Sequence, residues 1–450
     1  MDRVTRLKFS EWPLPMYVCD INRSLASSIG AAGLSDRGFQ DALNRTQGAV
    51  TRLQEKHLAE NFPLGRLIQA PVPWAEMQDL GNHLLKDTSD LIVLGIGGSS
   101  LGGQALAQLT GWGLPGHRPT AGRPNFHFPE NLDALTFERL LDTCDLRSTR
   151  FLVISKSGGT AETLSQMLRA MSAIDAAGGG RYMKYHFGVL TGPEEDNPLR
   201  KMAQAQGFPC LTHQPIGGRF AALSHTGLLP AMMMGLDIEG LRQGARATLA
   251  TLFDDLATSP VTRAVAVSFG LLQEKNISQL ALTSYDDRLQ RFGLWFRQLV
   301  GESLGKQGKG VTPLAGIGPV DQHSQLQLYL AGANDKLHTI ITRDVKGEGV
   351  APAPHLTSGS LSAYAGKTIG DLLEAEQRAT IETLGLNGRP VLNIHIPRLD
   401  EESLGALLMH FMLKTILLAD LMGVDPYDQP AVEQGKIRAR AYLAGEHPEA

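Results

Sequence analysis

At 450 residues the chain exceeds one ordinary domain and can bury two or three real cores, which excludes a short binding module. A hydrophobic share of 42%, a charged share of 20% and a net charge of -4 with interspersed signs exclude a disordered chain and a basic field for nucleic acid or anionic lipid, so an anionic ligand must be met locally. Three scattered cysteines, Cys19, Cys144 and Cys210, with no CxxC spacing, exclude a disulfide framework and point to a reducing, cytoplasmic setting.

The opening Met1-Asp2-Arg3-Val4 leads into no apolar core of signal-peptide type. Ser27 to Leu85 reads as helical, with turn signals at Pro63-Leu64-Gly65 and Pro71-Val72-Pro73. Leu91 to Leu94 and Phe151 to Ile154 are apolar runs of strand length, each opening on a small-residue loop and a helix, as a buried parallel sheet requires. Phe126 to Phe128, His186 to Leu190 and Pro209 to Thr212 complete a five-stranded α/β unit. Gln279 to Thr283, Leu337 to Thr342 and Val391 to Ile396 repeat the style in a second unit. The apolar stretch Leu404 to Met422 carries His410, Lys414 and Asp420, and reads as a buried helix instead of a membrane span. Val432 to Leu443 forms a final helix. The expected class is α/β with two doubly wound domains, divided as a helical segment 1–85, a first domain 86–235, a second domain 236–422 and a tail 423–450. A ligand cleft between the halves is the default expectation.

At Ser155-Lys156-Ser157-Gly158-Gly159-Thr160 the chain leaves a strand and enters a helix, supplying hydroxyls, an ammonium and free backbone N–H groups where an anion is favoured. A plain serine-rich helix cap is the alternative. The earlier loop, Gly95-Ile96-Gly97-Gly98-Ser99-Ser100-Leu101-Gly102-Gly103, has Ser100 where a dinucleotide fingerprint needs its third glycine. It does match G-x-S-x-G, which would make Ser100 a hydrolase nucleophile, and it also suits a sugar lying against bare backbone. Gly366-Lys367 and Gly305-Lys306 lack the remaining residues of a nucleotide P-loop.

Leu289, Phe292, Trp295, Phe296 and Leu299 form an apolar helical stripe behind a capping Asp286, and Glu302 falls on its edge beside Trp295. A carboxylate partly desolvated there would have a raised pKa suited to a general base, with Gln298 four residues earlier to orient it; a surface glutamate is the alternative. His323 in a turn-rich stretch is an acid/base candidate or a helix cap. Arg219 after two glycines could approach an anion or sit on a surface turn, and Lys436 could be functional or merely solvated. No HExxH and no cysteine and histidine cluster along the chain suggest a metal, so none is expected.

In this order, Gly95-Ile96-Gly97-Gly98-Ser99, Ser155-Lys156-Ser157-Gly158, Gly217-Gly218-Arg219-Phe220, Gln298 with Glu302-Ser303 and Gly305-Lys306, Gln322-His323-Ser324, and Gln429 with Val432-Glu433 and Gly435-Lys436 resemble the glucose-6-phosphate isomerase family, over nearly the whole chain. The resemblance implies two sugar-isomerase domains, interconversion of glucose 6-phosphate and fructose 6-phosphate through an enediolate, no cofactor, and a homodimer in which His323 reaches across from the neighbouring subunit. It implies phosphate binding by Ser155, Lys156, Ser157 and Thr160, with Gly98 and Ser99 lining the sugar site. Glu302 is implied as the base, Arg219 as the enediolate stabiliser, His323 and Lys436 as helpers of ring opening, and Gln298 and Gln429 as polar support. Gln322-His323 favours glucose over mannose 6-phosphate within it. Three departures stand out: Gly159 where many relatives carry threonine, Ala221 where serine or threonine is usual, and Pro430-Ala431 in the tail motif. A serine hydrolase using Ser100 and a non-catalytic sugar-phosphate sensor remain the competing readings.

Overall fold

A computed structural model describes residues 16–446; the Met1-Asp2-Arg3-Val4 opening and the ends of the first and last divisions lie outside the described residues. Among the described residues ten strands form two sheets. The first orders β3 (Asn125–His127), β2 (Asp90–Leu94), β4 (Thr149–Ser155), β5 (Phe187–Thr191) and β6 (Cys210–Thr212), all parallel. All seven residues of β4 are buried, the pattern of a strand covered by helices on both faces.

The second sheet orders β1 (Val18–Asp20), β10 (Val391–Ile396), β9 (Lys336–Arg343), β7 (Gln279–Ser284) and β8 (Thr312–Ile317), parallel except for β1, which pairs antiparallel with β10. The expected five-strand unit, its strand positions and the second unit's three strands are all present. Two strands of the second sheet escaped the sequence reading. β8 carries Pro313 and Gly316, and it survives as a strand because it lies on the sheet edge, where a missing N–H costs no ladder bond. β1 has only three residues and is held by its partner.

The N-terminal segment is helical over Asp36–Leu58, Pro63–Gln69 and Trp74–Leu85. Pro63-Leu64-Gly65 is not a turn: Pro63 opens a helix, where its fixed φ and absent N–H cost nothing. The helix Glu401–Met422 has the length and apolarity of a membrane span, yet 89% of its most apolar window is buried inside the fold. His410 and Lys414 are buried with it, and Tyr17 Oη lies 2.8 Å from His410 Nδ1.

Connectivity decides where a ligand can sit. The chain leaves β2 for β3 on one side and then returns to β4 on the other, so the carboxyl ends of β2 and β4 flank a topological switch point. Crevices at such points are where open α/β sheets take ligands. The Gly95 loop leaves β2 there, and the Ser155 loop leaves β4 beside it.

Candidate active site

β4 ends at Ser155, and the helix Ala161–Ala176 begins after Thr160 without a side-chain cap, so the loop between them presents helix N-terminal N–H groups. Ser155 Oγ and Thr160 Oγ1 are 2.8 Å apart, and Gly159 N donates to Ser157 Oγ at 3.3 Å. Lys156 and Ser157 are exposed while Ser155 is buried. Behind the loop stand two braces that sequence reading missed. Thr191 Oγ1 donates to Ser155 O at 2.6 Å, and Asn197 Nδ2 donates to Lys156 O at 3.3 Å. Gly158 has φ +66 and lies so close that a Cβ there would fall 1.8 Å from Asn197 Oδ1, so only glycine fits. Asn197 also caps the helix Pro198–Gln206, its Oδ1 accepting from Arg200 N at 3.0 Å.

The neighbouring loop places Gly98 directly against Gly218 and Arg219; a Cβ on Gly98 would sit 2.2 Å from Gly218 C. Two backbones therefore touch where the sugar site was expected. Ser99 lies in the same single turn, Gly97–Ser99. Ser100 is buried, and its Oγ accepts from Gln104 Nε2 at 2.8 Å. Among the described residues no histidine bonds it, so the G-x-S-x-G match lacks the base a hydrolase nucleophile needs.

From the second domain the helix Gln290–Leu304 brings its C-terminal turns to this edge. Leu289, Phe292, Trp295, Phe296 and Leu299 are all buried, as their spacing predicts, and Asp286 caps the turn that leads in. That anchored stripe leaves Gln298 and Glu302 facing the glycine loops. Arg219 Nη1 donates to Glu302 Oε2 at 2.9 Å, and Gln298 Nε2 donates to Glu302 Oε1 at 3.0 Å. Trp295 meets the site through its Nε1, which donates to Arg219 O at 3.0 Å. Gln298 Oε1 is buried without a partner, an acceptor available to a ligand hydroxyl.

Arg219 is the hub. Its Nε donates to Ser303 Oγ at 2.9 Å, its Nη1 also to Gln429 Oε1 at 2.8 Å, and its Nη2 to the carbonyls of Pro426 and Asp428 at 2.5 and 2.8 Å. Burial lowers its pKa from the usual arginine value and the Glu302 charge opposes that shift; it stays a cation. Lys306 adds an ion pair to Asp428 at 2.7 Å, so the start of the tail is tied down by two cations.

Two expected residues stand apart. His323 is exposed on the helix Val320–Ala331, and Lys436 is exposed on the helix Glu433–Leu443 with its Nζ 2.8 Å from Glu433. Among the described residues neither bonds Arg219, Glu302 or the two loops. Of the departures, a Cβ at Gly159 would meet only Ser157 O, at 4.0 Å; Ala221 is buried; and Pro430 opens a single turn, Pro430–Val432.

No cysteine and histidine cluster is visible along the chain, but folding gathers Asp90, His127 and Cys144 within 4.8 Å. There His127 Nε2 is taken up by Asp90 Oδ1 at 2.9 Å, and burial pushes the Cys144 thiol up to about 11. These residues lie at the opposite edge of the first sheet from the loops.

The phosphoglucose isomerase family profile matches residues 78–322. A glucose-6-phosphate isomerase of Rubrobacter xylanophilus is 37% identical over 90% of this chain and 93% of its own length. One from Thermus thermophilus is 32% identical over 91% and 98%. Among solved structures, a hypothetical protein from Thermus thermophilus superposes with a TM-score of 0.81 at 31% identity, covering 95% of this chain and 100% of that one.

Proposed function

The chain belongs to the phosphoglucose isomerase family and has glucose-6-phosphate isomerase activity, in glycolysis and gluconeogenesis, and we propose that Glu302 and Arg219 carry its proton transfer. The contact of Arg219 Nη1 with Glu302 Oε2 at 2.9 Å, beside the glycine loops of the switch point, carries this reading. Glu302 takes the proton from C2 of the open-chain aldose and returns it to C1; one carboxylate serves both carbons because they are adjacent. Negative charge grows on the substrate oxygen as the proton leaves, and Arg219 is a fixed cation already aimed at the carboxylate that removes it. Gln298 keeps Glu302 oriented and offers Oε1 to a sugar hydroxyl, with Gln429 as a further polar contact.

The phosphate end of the substrate binds at Ser155, Lys156, Ser157 and Thr160, while Gly98 and Ser99 let the sugar lie against backbone. Ring opening needs a proton shuttle, assigned to His323 and Lys436. Both are exposed in a single chain, which suits a homodimer in which His323 enters the partner's site. The setting is cytoplasmic. The division into 1–85, 86–235, 236–422 and 423–450 puts Arg219, Glu302 and Gln429 in three different parts, with the chemistry between them.

A coupled assay with fructose 6-phosphate tests the assignment. Glu302→Gln should lose about 10³-fold in turnover while fructose 6-phosphate still raises the melting temperature. Ordinary turnover in that variant would overturn it.

A further inference from the structure

A cavity of about 670 Å³ opens at the amino edge of the first sheet, where β2, β4 and β5 begin. The sugar-phosphate loops leave the opposite edge: from Arg150 to Ser155 along β4 is about 16 Å at roughly 3.3 Å per residue. The volume is within the range of small-molecule sites, about 300–1,000 Å³. None of the residues assigned to the isomerase reaction lines it.

Its charge is one-sided. Lys86, Arg147 and Arg150 line it against the single carboxylate Asp87. Arg150 is 9% exposed; its Nη1 is held by the carbonyls of Arg147 and Thr149 at 3.1 and 3.0 Å, while its Nε and Nη2 carry no hydrogen bond among the described residues. Arg147 keeps an exposed pairing with Asp145 at 3.1 Å, which a stronger anion can replace. Two helices, Trp74–Leu85 and Ala161–Ala176, end here by their C-termini, so the cations supply the attraction and no helix dipole does. His83 and His186 also line the cavity. Burial lowers the pKa of both, leaving neutral imidazoles at neutral pH, and His83 Nε2 is buried with no partner.

The rest of the wall is apolar and aromatic. Leu146 and Ile174 lie on it, and Tyr182 and Tyr185 stand about half exposed at its rim, at 48% and 50%. Cations beside a flat aromatic rim match a ligand that is anionic at one end and planar at the other. We propose that this cavity is a second ligand site that binds a mononucleotide, its phosphate on Lys86, Arg147 and Arg150 and its base against Tyr182, Tyr185 and Ile174.

Calorimetric titration of the full-length enzyme with AMP, its active site saturated with an equilibrium mixture of hexose 6-phosphates, tests the assignment. AMP should bind with the active site filled, and adenosine and ribose 5-phosphate should each bind at least about tenfold more weakly. Lys86→Glu with Arg147→Glu, and separately Tyr182→Ala, should weaken AMP by about tenfold or more while isomerase turnover is unchanged, these three side chains being exposed and outside the reaction site. Loss of AMP binding when hexose phosphate saturates would place the nucleotide in the active site and overturn the proposal. So would equal affinity for ribose 5-phosphate, undiminished binding in both variants, or no binding at millimolar AMP.

Discussion

Arg219 meets Glu302 at 2.9 Å with its own side chain 2% exposed and that of Glu302 33% exposed, so a buried cation holds a carboxylate that stays partly open to solvent. The same guanidinium grips Ser303, Gln429 and two carbonyls of the tail. Lysine offers one point charge in place of that planar fork. Arg219→Lys should lower kcat by about 10²–10³-fold, and limited proteolysis should cut the tail beyond residue 423 faster. Wild-type kcat in this variant would remove Arg219 from the reaction.

Gly159 is a departure that the fold does not require. A side chain at that position meets nothing closer than 4.0 Å, and its φ lies outside the left-handed region. Gly159→Thr should add a hydroxyl to the Ser155 to Thr160 loop without strain and, if that loop holds the substrate phosphate, lower KM for fructose 6-phosphate by about threefold to tenfold, the worth of one modest hydrogen bond. A raised KM would mean that the loop needs the bare backbone at this point.

If His323 serves the partner's site, two inactive variants should rescue one another. In a two-fold dimer of Glu302→Gln with His323→Ala, one site carries both changes and the other carries neither. Co-refolding equal amounts should restore about a quarter of wild-type activity, since about half the dimers are mixed and each has one intact site. No recovery, with mixed dimers demonstrated by mass spectrometry, would place both residues in one subunit's site.

Acid should destabilise the fold earlier than its carboxylates alone would cause. Burial pushes His338 down to about 4 and His410 down to about 3, with the positive charges of Lys336 and Lys414 adding in the same direction. An unfolded histidine titrates near about 6.5. Below that pH the unfolded chain takes up protons that the folded chain refuses, so stability is full above about pH 6.5 and is lost as pH falls toward 4 and then 3. Urea unfolding should give a falling free energy between about pH 6.5 and 4.5, and His338→Gln should flatten the slope. A flat profile over that window would contradict the neutral buried state of these rings.

Much of the fold was legible because its signals are local. β2, β4, β9 and β10 are apolar runs long enough to stand out, and the stripe from Leu289 to Leu299 has helical spacing that the packed core confirms. β8 was not legible, since Pro313 and Gly316 argue against a strand until the strand is known to be an edge. Pro63 read as a turn signal, and only the packed helix after it shows it to be a first helical residue. The Ser155 to Thr160 loop stood out by its serines and glycines, whereas its braces Thr191 and Asn197 lie elsewhere along the chain and bear no mark of their task.

Residue order alone sufficed for the family, the α/β class and the chemical inventory: hydroxyls at a strand-to-helix turn, bare glycine backbone, a glutamate on the edge of an apolar helix, and an arginine after two glycines. Each of these is set by residue type and spacing within a few turns of chain. The packing of the whole chain decided that Arg219 pairs with Glu302, 83 residues away, and with Gln429, 210 residues away. It also decided that a cationic cavity opens at the far edge of the same sheet. Such contacts follow from how whole sheets and helices pack, a balance summed over the entire core, and no local stretch of sequence carries that sum.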